Sequence, residues 1–151
     1  MSAVNHVGLC VTDLDRSRRF YEAVLGFAHR NEVRVPDAAT SRLLQVPAPV
    51  GLTAVYLARD GFVLELLHFD RDGNDPARHR SFTEPGLTHL SFTVDDVPAT
   101  CAAVAAHGGE VLADTAVGGR AIMVRDPDGQ LLELLPTQGT SAAAVGGRGR
   151  R

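Results

Sequence analysis

The hydrophobic pattern along the chain occurs twice. His6 to Val11 alternates with Val7, Leu9 and Val11 on one face, and His89 to Val94 alternates with Leu90, Phe92 and Val94, each in the period of a half-buried strand. Asp13 and Asp96 follow as natural N-caps. The first predicted helix carries an apolar stripe of Phe20, Tyr21, Val24 and Leu25, turns Arg16, Arg18, Arg19 and Glu22 toward water, and stops at Gly26. The second carries Val97, Cys101, Val104 and Ala105 and ends at Gly108 or Gly109. Asp60-Gly61 and Asp128-Gly129 are turn signals leading into apolar strands at Phe62 to Phe69 and Gln130 to Leu135.

The repeat has a definite register. An offset of 83 carries His6 onto His89 and Gly26 onto Gly109, whereas an offset of 68 carries Glu65 onto Glu133. Fifteen residues are therefore missing from the second half between its helix and last strand. The first half has room for a strand near Phe27 to Val35, a short helix near Ala38 to Gln45 and a strand near Leu52 to Ala58. The second has only Glu110 to Val117 and Arg120 to Arg125. The predicted organisation is a first module at 1–69, a polar linker at 70–86, a second module at 87–136 and a frayed tail at 137–151.

Composition narrows the function. A chain of 151 residues, 44% hydrophobic and 22% charged, is expected to be a soluble globular protein. No apolar run is long enough to span a membrane, and Met1 to Leu9 lacks a secretory pattern, so a cytoplasmic location is expected. Fifteen arginines and no lysine against eighteen acidic residues leave a formal charge of -3, which argues against nucleic acid as partner. Two cysteines are too few for a disulfide framework.

Four polar residues interrupt this pattern and carry the chemistry. Glu65 lies within Val63-Leu64-Glu65-Leu66-Leu67 and Glu133 within Leu131-Leu132-Glu133-Leu134-Leu135, so each carboxylate needs a compensating charge. His6 and His89 open strands whose own faces are small or polar, Gly8 and Cys10 in one, Ser91 and Thr93 in the other. That is the composition of a cavity wall. Arg34, Arg42, Arg120 and Arg125 could instead neutralise the glutamates, but the repeat-equivalent positions of two His and two Glu favour one divalent cation, Zn, Ni, Co, Mn or Fe. Cys10 is expected to line the pocket, Cys101 to pack in the core, and His29, His68, His79 and His107 to be surface residues.

These segments resemble the vicinal oxygen chelate superfamily, which includes glyoxalase I, methylmalonyl-CoA epimerase, extradiol dioxygenases and the fosfomycin and bleomycin resistance proteins. The carriers are Asn5-His6-Val7-Gly8, the run from Asp13-Leu14-Asp15-Arg16-Ser17 to Leu25-Gly26-Phe27, Leu64-Glu65-Leu66, Leu87 to Phe92, and Asp126-Pro127-Asp128-Gly129 through Leu132-Glu133-Leu134. The resemblance implies an α+β fold of two tandem βαβββ modules forming a curved, open barrel-like sheet, with His6, Glu65, His89 and Glu133 as the metal set. It further implies an isomerase, epimerase or lyase that chelates neighbouring oxygens of a small substrate and stabilises an enediolate, with Glu133 or Glu65 moving the proton. The alternatives are an iron-dependent dioxygenase and a non-catalytic cup that sequesters an antibiotic or metabolite. Extradiol enzymes leave the place of Glu65 unliganded, which favours proton transfer here. Glyoxalase I has an Arg for the glutathione carboxylate where this chain has Cys10, which points to a different small oxygenated or acyl substrate. A homodimer is expected, and the site closes either within one chain or between two.

Overall fold

A computed structural model describes residues 1–70 and 81–137. The elements run β1 (Val7–Cys10), α1 (Leu14–Leu25), β2 (Ala28–Arg34), α2 (Asp37–Leu44), β3 (Leu52–Arg59), β4 (Phe62–Phe69), β5 (Leu90–Val94), α3 (Val97–Ala106), β6 (Glu110–Val117), β7 (Ala121–Arg125) and β8 (Leu131–Pro136). The short helix after Pro36-Asp37 forms as expected. With its flanks it fills residues 35–51, where the second half has only Gly118-Gly119-Arg120. The predicted tail beyond Thr137 and most of the linker, with His79, lie outside the described residues. No described helix is long and apolar enough to cross a membrane.

Capping residues set where the helices begin and end. Asp13 accepts from the Arg16 amide at 2.9 Å and Asp96 from the Ala99 amide at 2.8 Å, each satisfying a first-turn N–H. Gly26 closes α1 in the left-handed conformation, φ 67°, its amide bonded to the Glu22 carbonyl.

The strands form two four-stranded mixed sheets, ordered β1-β4-β3-β2 and β5-β8-β7-β6. In each sheet the strand before the helix runs parallel to the last strand, and the other pairings are antiparallel. Strands β1 and β5 are consequently sheet edges.

Both sheets bury their helix-covered face in one common core. It joins Leu9, Phe20, Tyr21, Leu57, Leu64 and Leu66 of the first half to Val94, Val104, Val124, Leu132 and Leu134 of the second. Phe27 bridges the halves, edge-on to Tyr21 at 5.9 Å and to Phe92 at 6.0 Å between centroids. Packing is closest at Gly109, where an added Cβ would lie 2.5 Å from the Arg125 carbonyl and 2.9 Å from the Phe20 ring. Glycine is required there by space. Strand β2, by contrast, is exposed along its whole length.

A polar clamp fastens this core at the Asp126-Pro127-Asp128-Gly129 turn. Asp128 accepts from the Thr12 hydroxyl and amide, from Ser17 Oγ at 3.0 Å and from Arg16 Nη2 at 2.8 Å. Arg16 thus joins the two halves instead of only facing water. Asp126, 4% exposed, accepts from the Tyr21 hydroxyl at 2.8 Å and from the amides of Asp128 and Gln130. Burial raises the Asp126 carboxyl above its ordinary value and Asp128's charge adds to this, while the three donors oppose it.

Two stability effects follow. Tyr21→Phe leaves a buried carboxylate short of a donor and should cost about 1–3 kcal/mol in urea unfolding. Because the folded value of Asp126 is raised, its favourable contribution is present below the unfolded value and is lost as pH rises through the folded one. Wild type should therefore gain stability relative to Asp126→Asn as pH is lowered from about 7 to about 4; a constant difference would refute the burial effect.

Candidate metal centre

Alternation along β4 places Glu65 opposite the buried Leu64 and Leu66, on the face the helices do not cover. Its register neighbours are Gly8 on β1 and Tyr56 on β3. A Cβ at Gly8 would lie 3.5 Å from Glu65 Oε2, so glycine keeps the space beside that oxygen open. His6, just before β1, brings Nε2 to 3.1 Å from Glu65 Oε2, while its Nδ1 lies 2.7 Å from Asn5 Oδ1. The Tyr56 hydroxyl donates to Glu65 Oε1, and the Tyr56 ring stands edge-on to His6 at 5.8 Å. That hydrogen bond, then burial and the carboxylate's charge, push the Tyr56 phenol up to about 12.

The second half repeats this arrangement with different supports. Glu133 on β8 is flanked by Ser91 on β5 and Met123 on β7. His89 Nε2 lies 3.7 Å from Glu133 Oε2, and His89 Nδ1 lies 2.9 Å from Thr88 Oγ1. Ser91 Oγ donates to Glu133 Oε2 at 2.7 Å. Phe82 covers His89, 5.4 Å away between ring centroids. In both pairs the carboxylate is the more withdrawn partner: 12% exposed for Glu65 against 35% for His6, and 25% for Glu133 against 29% for His89.

One chain thus brings His6 to Glu65 and His89 to Glu133, yet among the described residues no three His, Cys, Asp or Glu side chains converge closely enough to hold a metal. The four residues of the sequence-predicted set stand as two separate His–Glu pairs and not as one cluster. Neither carboxylate is neutralised by a described arginine: Arg125 pairs with Glu110 at 3.4 Å.

The half-sites fit a divalent cation. Ligand bonds of about 2.1 Å place neighbouring ligands of an octahedral ion about 3.0 Å apart. The 3.1 Å pair matches this and the 3.7 Å pair is slightly open. His6 Nδ1, moreover, contacts the Asn5 side chain, the kind of contact that orients a metal-binding His.

The remaining candidates fall outside these pairs. Cys10 stands on β1 with its thiol partly enclosed, and that partial burial and Asp128 push it up, which keeps it protonated and a weak nucleophile. Cys101 packs against the core. His29 and His107 are exposed, while His68 is half-buried instead of a surface residue. Sequence reasoning passed over Tyr56 and gave no role to Asn5 or Thr88, whereas Ser91 was expected in the cavity wall; all four touch the His–Glu pairs.

Comparison with known proteins matches this architecture to one family. The family model described as Glyoxalase/Bleomycin resistance protein/Dioxygenase superfamily matches residues 3–134. The chain is 31% identical over 137 residues to the uncharacterized protein YaeR of Escherichia coli, covering 89% of this chain and 95% of that one. It is 31% identical over 143 residues to the lactoylglutathione lyase of Haemophilus influenzae, covering 91% and 94%. The trypanothione-dependent glyoxalase I of Leishmania major superposes with a TM-score of 0.68 at 26% identity, over 93% of this chain and 90% of that one. Since the matched span takes in both His–Glu pairs and both Asp-Gly turns, the chain belongs to the Glyoxalase/Bleomycin resistance protein/Dioxygenase superfamily.

Proposed function

We propose that the protein is a divalent-metal-dependent isomerase, epimerase or lyase acting on a small molecule with two neighbouring oxygens. The observation carrying this reading is the pair of His–Glu contacts, each with a ring nitrogen directed at a carboxylate oxygen near the spacing of adjacent metal ligands. His6, Glu65, His89 and Glu133 would hold one Zn, Ni, Co, Mn or Fe ion. When bound, the cation supplies positive charge opposite the substrate oxygens. A carboxylate of the set, Glu133 or Glu65, takes the proton from the carbon beside the carbonyl and returns it to the neighbouring carbon. The name of the Haemophilus relative supports lyase chemistry. Cys10, standing where the resemblance expects a glutathione-binding Arg, favours a substrate without glutathione.

The site is completed by a second copy of the chain. The shared core occupies the helix side of both sheets, so the His–Glu pairs lie on faces directed away from it. His6 and His89 stand at the starts of β1 and β5, each an edge strand of its sheet. A twofold dimer joining β1 of one chain to β5 of the other would unite each first half-site with a second half-site, twice per dimer.

Elemental analysis after dialysis against Zn2+ should find one ion per site in wild type and loss in both His6→Ala and His89→Ala. Refolding the two variants together should restore about a quarter of the sites, because half of the dimers are mixed and each of these rebuilds one intact site. A site within one chain would show no recovery, and a wild type that takes up no ion would overturn the metal reading. Loaded protein should exchange the carbon-bound proton of a small α-hydroxyketone in D2O; Fe2+-dependent oxygen uptake with catechol would instead indicate a dioxygenase.

A further inference from the structure

The two half-sites differ in how they hold their carboxylates. Tyr56 faces Glu65 across the β3–β4 pairing, whereas the matching position across β7–β8 is Met123, which has no donor for Glu133. Gly8 stands beside Glu65 where Ser91 stands beside Glu133, and Ser91 donates to Oε2, the oxygen nearer His89. Glu65 is therefore divided: Oε1 accepts from the Tyr56 phenol and Oε2 faces His6 with the space at Gly8 left clear. The Tyr56 ring also packs edge-on against His6, so one side chain touches both members of the pair.

We propose that Tyr56 is a positioning residue that holds Oε1 of Glu65 and thereby presents Oε2 as a one-oxygen metal ligand beside His6. The inference rests on the metal-dependent reading above and concerns one half-site only. A carboxylate free to rotate offers either or both oxygens to a cation; one whose second oxygen is bound to a phenol offers a single oxygen in a fixed direction. A cation on Oε2 draws electron density from the carboxylate and weakens the bond to the phenol, so Tyr56 should also report occupancy.

The chain has two tyrosines and no tryptophan, and Tyr21 is buried in the core on Asp126, which leaves Tyr56 as the tyrosine at the site. Zn2+ titrated into the unaltered full-length protein should produce a tyrosine difference band in the near ultraviolet with the same saturation as the calorimetric binding curve. Tyr56→Phe, which retains the ring, should lose the band and bind Zn2+ about 10–100-fold more weakly. Tyr56→Phe binding Zn2+ with wild-type affinity, or wild type binding Zn2+ without the band, would overturn the role of Tyr56 while leaving the metal reading intact. The band is read on unaltered protein, so that arm holds even if the variant misfolds. No heat of binding in wild type would remove the metal reading, and the role of Tyr56 with it.

Discussion

A carboxylate in the middle of an apolar central strand is tolerated only on the face that the core does not occupy. Glu65 and Glu133 both meet that condition, because each is flanked in its strand by leucines that point the other way into the core. Both sheets spend their apolar faces on one shared interior, so both polar faces point outward. The clamp of Asp126 and Asp128 on Tyr21, Thr12, Arg16 and Ser17 then fixes the relative orientation of the sheets. The packing that makes one chain stable therefore leaves its two His–Glu pairs on outward faces, beside the sheet edges at β1 and β5.

The halves are equivalent in backbone and unequal in chemistry. Register preserves the geometry, with Gly8, Glu65 and Tyr56 in one row and Ser91, Glu133 and Met123 in the other. Glycine against serine and tyrosine against methionine change which carboxylate oxygen is engaged and by what donor. The first-half carboxylate is the more enclosed, 12% exposed against 25%. Desolvation makes the hydrogen bond from Tyr56 stronger than the same contact in water, and it makes an unmet charge on Glu65 more costly.

Much of this was legible in the sequence, because alternation and turn chemistry are local. The two Asp-Gly turns, the N-caps Asp13 and Asp96, the extra helix after Pro36 and the repeat-equivalent places of the two His and two Glu follow from spacing and repeat alone. Arg16 and Asp128 were not legible as a clamp, since residues 112 apart meet only through the packing of one half on the other. Nor did alternation show that the polar faces would point apart, because it assigns a face within each sheet and carries nothing about how two sheets pack. His68 illustrates the same limit: it shares the leucines' side of β4, yet packing leaves it half-buried near the end of the strand.

Tyr56 is the instructive omission, because its signal was present. A two-residue Asp60-Gly61 turn pairs Arg59 with Phe62, and counting outward at equal steps sets Tyr56 opposite Glu65. The same count fails in the second half, where Asp126-Pro127-Asp128-Gly129-Gln130 separates β7 from β8 and Met123 meets Glu133 only through that longer connection. A tight hairpin thus fixes the neighbour of a half-buried carboxylate from sequence, while a longer one hides it. The second-half turn had a different constraint to meet: its two aspartates fasten the halves together, and a two-residue loop has no room for both.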